Sequence, residues 1–239
     1  MMKETVLVIG ASSDLAQETI QSLASPSRQF ILHYFENKEA IEKTMSLLDE
    51  DQVIMSVRAN LSEQTEIQQL IESIPFQVHS ILFAQGRSYH ELLTESSSEK
   101  MDEQYTIHLK SMMLIAKAFL PQMIARKEGN IVVISSIWGE LGASNESVYA
   151  AMKGAQLAWM KSIAKEVGPS GVRVNAVTPG LIDTKMNKVI SEQDQEVWTN
   201  QVPLRRAGQP GDVANLIRFL FSNESNYIHG QVLRLSGGI

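Results

Sequence analysis

Short apolar runs alternate with longer stretches of helical spacing almost from one end of the chain to the other. Thr5–Ile9 is a β-branched run closed by Gly10, and Leu15–Ala24 follows with the period of a helix. Phe30–Tyr34, Val53–Val57 and Ser80–Phe83 read as the next strands, separated by helices over Lys38–Asp49 and Thr65–Ile74. Helical spacing runs from Met101 to Arg126, and Asn130–Ile134 is a fully apolar strand. Val148–Val167 is a second long helix, stopped by Gly168-Pro169 as helices commonly are. Arg173–Val177 is the sixth strand, Gly211–Phe221 a helix with Asp212 in its first turn, and Gln231–Leu235 the last strand. Between these, Lys185–Pro203 is polar and weakly periodic. Such alternation predicts an α/β fold, a doubly wound and mostly parallel sheet, Rossmann-like, in a single domain over residues 1–239. Ligands of such sheets bind beyond the carboxyl ends of the strands. Gly10, Tyr34, Asn60, Gly86, Ser136 and Pro179-Gly180 all fall at or just after such ends.

Composition narrows the function classes. The 239 residues are 44% hydrophobic and 20% charged, in the range of soluble globular chains. A net charge of −6, with the 21 basic residues scattered, argues against nucleic acid or an anionic membrane as partner. Without cysteine there is no disulfide framework, thiolate nucleophile or cysteine metal site, and no metal is expected. The apolar stretch from Met112 to Ala125 contains Lys117 and Pro121 and is too short to span a bilayer. No signal peptide is visible ahead of the first strand, and a cytoplasmic protein is expected.

The candidate chemistry sits at Ser136, Tyr149 and Lys153. A tyrosine and a lysine four apart on a helix project from one face. A phenol titrates near pH ~10 and is a poor acid or base at neutrality, but a nearby ammonium lowers that value. The serine hydroxyl can donate to a carbonyl oxygen while the tyrosine gives up its proton. No side chain supplies a hydride, so such a site requires a cofactor.

Gly10-Ala-Ser-Ser-Asp-Leu-Ala16 joins the first strand to the first helix. A turn there aims backbone N–H groups and the positive end of a helix at an anion. Asp14 stands where a second glycine would admit a phosphate closely. It reads either as the helix N-cap, with Gln17 completing a capping box, or as a carboxylate that weakens or redirects dinucleotide binding.

Taken in order, Gly10-Ala-Ser-Ser, Ile131–Ser136, Tyr149-x-x-x-Lys153, Arg173-Val-Asn-Ala-Val-x-Pro-Gly180 and Tyr227-Ile-His-Gly-Gln through Gly237-Gly238 resemble the short-chain dehydrogenase/reductase family. The resemblance covers nearly the whole chain. Its bacterial 3-oxoacyl-[acyl carrier protein] reductases are the nearest large branch. The elongation factor P 5-aminopentanone reductases look closer still, on Gly86-Arg-Ser, His108-Leu, Val133–Ala143 and Lys153-Gly-Ala-Gln156.

What the resemblance implies is NADPH-dependent reduction of a ketone to a secondary alcohol, with a non-catalytic dinucleotide-binding protein as the alternative. Tyr149 would be the general acid, Lys153 would hold the nicotinamide ribose and lower the tyrosine pKa, and Ser136 would polarise the substrate oxygen. Gly10, Ser12, Ser13, Asp14, Leu15, Tyr34, Asn60, Leu61, Ala84, Gly86, Tyr149 and Lys153 would border the cofactor. Pro179, Gly180, Ile182 and Thr184 would meet its carboxamide. The family's Asn-Ala-Gly is Ala84-Gln85-Gly86 here, and the helix asparagine that holds a relay water falls at His108. His108 is then either a buried structural residue or an imidazole in the relay that titrates near pH ~6.5.

The second strand ends at Tyr34 without the acid that reads an NAD ribose, which favours NADP(H) over NAD(H). His33, Lys38 and Ser13 are the candidates for a 2′-phosphate, and the Asn60 amide oxygen for the adenine amino group. Trp138, Glu140, Met186, Asn187 and Trp198 lie in segments that border the substrate in the family. A carboxylate at Glu140 suits an ammonium-bearing ketone, and the ketone itself is expected to ride on a protein or carrier. The family's long helices imply a homotetramer or homodimer.

Overall fold

A computed structural model of the chain describes residues 3–185 and 192–239. Among these, the strands β1 (Glu4–Ile9), β2 (Arg28–Tyr34), β3 (Val53–Arg58), β4 (Ser80–Phe83), β5 (Gly129–Ile134), β6 (Val172–Pro179) and β7 (Val232–Leu235) pair in parallel throughout. They form one seven-stranded sheet in the order β3-β2-β1-β4-β5-β6-β7. The order reverses between β1 and β4, and a crevice opens beyond the strand ends at such a reversal.

The helices are α1 (Asp14–Leu23), α2 (Lys38–Ser46), α3 (Gln64–Glu72), α4 (Ser98–Tyr105), α5 (Ser111–Arg126), α6 (Trp138–Leu141), α7 (Ser147–Val167), α8 (Glu192–Gln201) and α9 (Pro210–Leu220). Because strand side chains alternate between faces, each apolar run serves two cores. Leu7, Ile9, Ile81, Phe83, Ile131 and Val133 pack with Met112, Ile115 and Phe119 of α5 and Leu157 and Met160 of α7. On the other face Val6, Val8, Phe30, Leu32, Leu82 and Val132 pack with Ile20 of α1 and Val213 and Ile217 of α9. The expected strands and the α/β class are as the sequence predicts.

Three local features depart from the sequence reading. The stretch expected as one helix from Met101 to Arg126 is α4 and α5 joined by a π-turn over Thr106–Lys110. Trp138–Leu141 forms a single helical turn, too short for a periodic signal. Part of the weakly periodic segment is helical as α8. Among the described residues no helix is long and apolar enough to cross a membrane.

Candidate active site

Two adjoining cavities open beyond the carboxyl ends of the strands. The larger, about 520 Å³, runs along Gly10, Ser12, Ser13, Asp14 and Leu15, past Phe35, Asn60, Leu61, Ala84 and Gly86, to Tyr149 and Lys153. The smaller, about 100 Å³, is walled by Ser136, Trp138, Glu146, Pro179, Gly180, Ile182 and Trp198. Leu15, Ser135, Tyr149 and Thr184 border both. The sequence-predicted serine, tyrosine and lysine thus meet where a long cleft joins a small one.

The long cleft is shaped by main chain. Gly10 has φ +79°, and a Cβ there would lie 2.7 Å from the Gln85 backbone. Only glycine adopts that turn with the loop after β4 so close. The first turn of α1 follows, capped by Ser13, whose hydroxyl accepts from the Ala16 N–H at 3.3 Å. Asp14 is therefore the first helical residue and not the N-cap, which corrects the capping-box reading, and Gln17 donates to the Ser12 carbonyl instead. Its carboxylate accepts from the Lys185 N–H at 2.7 Å, tying the loop to the segment after β6. Inside the wall, both amide atoms of the buried Gln85 lack a hydrogen-bond partner among the described residues. A glycine-shaped turn, helix N–H groups aimed into the cleft and an unpaired amide fit a nicotinamide dinucleotide.

Several expected contacts are different. Tyr34 does not border the cleft: strand alternation sends it, with Phe30 and Leu32, into the core under α1, and Phe35 takes the cleft side. His33 is buried, accepts from the Gly10 N–H at 3.1 Å and donates to the Ala59 carbonyl at 3.0 Å. Burial holds its pKa down to about 4, so it is neutral and offers a phosphate no charge. Lys38 is paired with Glu42 at 2.9 Å. The Asn60 side-chain oxygen already accepts from the Ser62 N–H and hydroxyl, at 3.1 and 2.9 Å, so it is not free for adenine. The cation that sequence reasoning missed is Arg58, whose guanidinium lies 4.9 Å from the centre of the Phe35 ring. Among the described residues no carboxylate pairs with it.

At the junction, Tyr149 and Lys153 lie on α7 and Ser136 just after β5. The Lys153 ammonium donates to the Ile134 carbonyl at 2.9 Å and lies 5.6 Å from the Tyr149 ring. Burial pulls its pKa down to about 7. The Tyr149 phenol is raised above its ordinary value by burial and by the Glu146 carboxylate, while a hydrogen bond with Ser136 opposes them. The lowering expected from Lys153 is not among the influences on the phenol. A raised value keeps the phenol protonated, as an acid requires.

His108 sits in the π-turn, behind Gly86, where a Cβ on that glycine would approach its ring to 3.2 Å. Its Nε2 lies 2.8 Å from the Arg87 carbonyl oxygen and 3.2 Å from the Arg87 amide nitrogen, its Nδ1 has no partner among the described residues, and its ring meets Tyr149 edge-on at 5.4 Å. Burial and the charge of Lys153 hold its pKa to about 3, so the expected titration near neutrality is absent. Its carbonyl accepts from the Gln156 amide at 2.8 Å.

On the substrate side, Trp138 and Trp198 stack with ring centres 5.0 Å apart. Glu140 is not on the cavity wall; Arg234 engages it at 2.7 Å and holds its carboxyl below the usual range. The carboxylate on the wall is Glu146, one turn before Tyr149. Met186 and Asn187 lie outside the described residues.

A family model described as Enoyl-(Acyl carrier protein) reductase matches residues 10–239. The chain is 36% identical over 241 residues to an uncharacterized oxidoreductase of Bacillus subtilis, YmfI, covering 99% of each. It is 29% identical to the 3-oxoacyl-[acyl-carrier-protein] reductase FabG of Staphylococcus aureus, over 100% of this chain and 98% of the other. Among solved structures, a 3-oxoacyl (acyl-carrier-protein) reductase of Agrobacterium tumefaciens with NADP bound superposes with a TM-score of 0.87 at 27% identity, covering 100% and 95% of the two chains. With a family match running over most of its length and the serine, tyrosine and lysine gathered at the strand ends, the protein belongs to the short-chain dehydrogenase/reductase family and is an oxidoreductase.

Proposed function

We propose that the protein uses NADPH to reduce a ketone, carried on a protein or carrier, to a secondary alcohol. The observation that supports this most is Tyr149 on the wall shared by the two cavities, with Ser136 on the smaller and Lys153 on the larger. The bound nicotinamide supplies the hydride. Ser136 donates a hydrogen bond to the ketone oxygen and orients it toward Tyr149. Tyr149 delivers the proton as charge develops on that oxygen, and Lys153 stabilises the phenolate left behind. His108, neutral and packed edge-on against Tyr149, holds the ring.

Preference for NADPH is supported by the missing acid at the end of β2 and by Arg58, whose guanidinium caps the Phe35 ring beside the adenosine end of the cleft. The NADP-bound reductase from Agrobacterium has the same overall fold. Two carried ketones are in view, a 3-oxoacyl thioester, as the FabG relatives are named for, and a 5-aminopentanone group on elongation factor P. On the same reading the protein works in the cytoplasm as a dimer or tetramer. NADPH oxidation, followed with acetoacetyl thioesters, simple diketones and aminopentanone-modified elongation factor P, tests the proposal. Turnover with one of them that is lost in Tyr149→Phe is the expected result, and no turnover with any ketone overturns it.

A further inference from the structure

His33 lies near the end of β2, buried in the wall of the long cleft. Its Nδ1 accepts from the N–H of Gly10, which opens the turn into α1, at 3.1 Å. That nitrogen is therefore unprotonated, and the neutral ring carries its proton on Nε2, which donates to the Ala59 carbonyl at 3.0 Å. Burial holds the ring in this neutral form. Ala59 directly follows Arg58, the last residue of β3. One imidazole thus joins the turn after β1 to the loop after β3, across the strand between them. The main chain extends the ladder here through the Ala11 N–H to the His33 carbonyl, at 2.8 Å, and the Ala59 N–H to the Tyr34 carbonyl, at 3.0 Å. The Gly10 donor and the Ala59 acceptor are satisfied by the ring, and a buried polar group without a partner is costly. The two loops carry the two anion-facing parts of the cleft, the N–H groups that open α1 and the Arg58 guanidinium beside Phe35.

We infer that His33 is a positioning residue that fixes the pyrophosphate turn relative to Arg58, and through that spacing supports the preference for NADPH over NADH. The inference rests on the reading of Arg58 as the contact of the 2′-phosphate and deepens it. The two halves of the imidazole have different clients. The bond to Gly10 shapes a turn that any nicotinamide dinucleotide uses, because every one carries the pyrophosphate. The bond to Ala59 holds the chain beside Arg58, which only a cofactor with a 2′-phosphate uses.

Two half-conservative variants separate these clients. The amide oxygen of His33→Asn takes the place of Nδ1 and keeps the Gly10 bond, but the side chain is too short for Ala59. The amide nitrogen of His33→Gln takes the place of Nε2 and keeps the Ala59 bond, but offers Gly10 no acceptor. Dissociation constants of NADPH and NADH are read by fluorescence titration, without any ketone, and circular dichroism checks that each variant is folded. His33→Asn should weaken NADPH about tenfold and leave NADH within about twofold, whereas His33→Gln should weaken both about tenfold. Equal losses of the two cofactors in folded His33→Asn, no loss in either variant, or equal affinity of the unaltered protein for both cofactors overturns the inference. A further measurement needs no variant: the nitrogen NMR shifts of His33 in the cofactor-free protein should show the proton on Nε2, and a proton on Nδ1 overturns the inference as well. The expected pattern of affinities in a protein that turns over no ketone would leave the role of His33 standing and count against the reductase reading instead.

Discussion

The long cleft and the small cavity that share Tyr149 are built on different principles. The first is made by strand ends, the Gly10 turn and the N–H groups opening α1, so its shape belongs to the main chain. The second is made by side chains from segments far apart in sequence: Ser88 and His90 after β4, Trp138 after β5, Glu146 before α7 and Trp198 on α8. A main-chain site serves one ligand class whatever its side chains, whereas a side-chain site can be re-specified one residue at a time. The cleft therefore points to the cofactor, and the cavity to the molecule that meets it at Tyr149.

The most severe test of that division falls on the shared wall. Tyr149→Phe should lower kcat by about a thousandfold while shifting the NADPH dissociation constant only a few-fold. Steady-state kinetics beside a fluorescence titration separate the two, and a parallel loss of binding would break the division. Gly10→Ala should act oppositely, through the backbone. Its Cβ would meet the Gln85 main chain at 2.7 Å, so cofactor affinity should fall about a hundredfold and the melting temperature by several degrees. A near-normal dissociation constant in that variant would mean that the turn does not shape the site.

Arg58→Gln probes the one side chain given a role at the adenosine end. NADPH affinity should drop about tenfold while NADH affinity hardly moves, as read by titration with each. Equal losses for both cofactors would remove Arg58 from phosphate recognition.

The smallest effect comes from the two buried imidazoles. His33 and His108 have folded pKa values of about 4 and about 3, below the ordinary 6.5. Between those values the unfolded chain binds a proton that the native state refuses, so stability is full above pH ~6.5 and falls as pH drops toward the folded values. Each should contribute a slope of up to about 1.4 kcal/mol per pH unit, measured from urea midpoints of the cofactor-free protein. His33→Asn and His108→Asn should each flatten part of that slope. His108→Asn should also leave the acid limb of the rate profile in place, and a moved limb would restore a titrating role.

The sequence carried the sheet well because each strand announced itself as a short apolar run after a turn signal, and the tyrosine and lysine lie on one helix at a fixed spacing. What it carried poorly depended on one-residue register or on loop paths. Tyr34 and Phe35 differ by one position, and the pleat alone decides which faces the cleft. Glu140 and Glu146 are both acids near the tyrosine, and only the fold shows that Arg234, from β7, claims the first. Arg58 was invisible as a ligand because its relation to Phe35 runs across two neighbouring strands. The π-turn leaves no mark on hydrophobic spacing, because its five residues read equally well as α-helix.

That π-turn makes the chain intolerant of a particular deletion. A π-turn holds one residue more than the helix around it needs, and removing a residue from Thr106–Lys110 would let α4 and α5 fuse into one regular helix. Local hydrogen bonding would improve. Every residue on one side of the cut would nonetheless rotate by about 100° about the helix axis, carrying His108 off the Arg87 carbonyl and away from the Tyr149 ring, or unseating the apolar face of α5. The irregular helix is thus a phase adjuster: it lets one face pack on the sheet while another stays aligned with the reacting tyrosine.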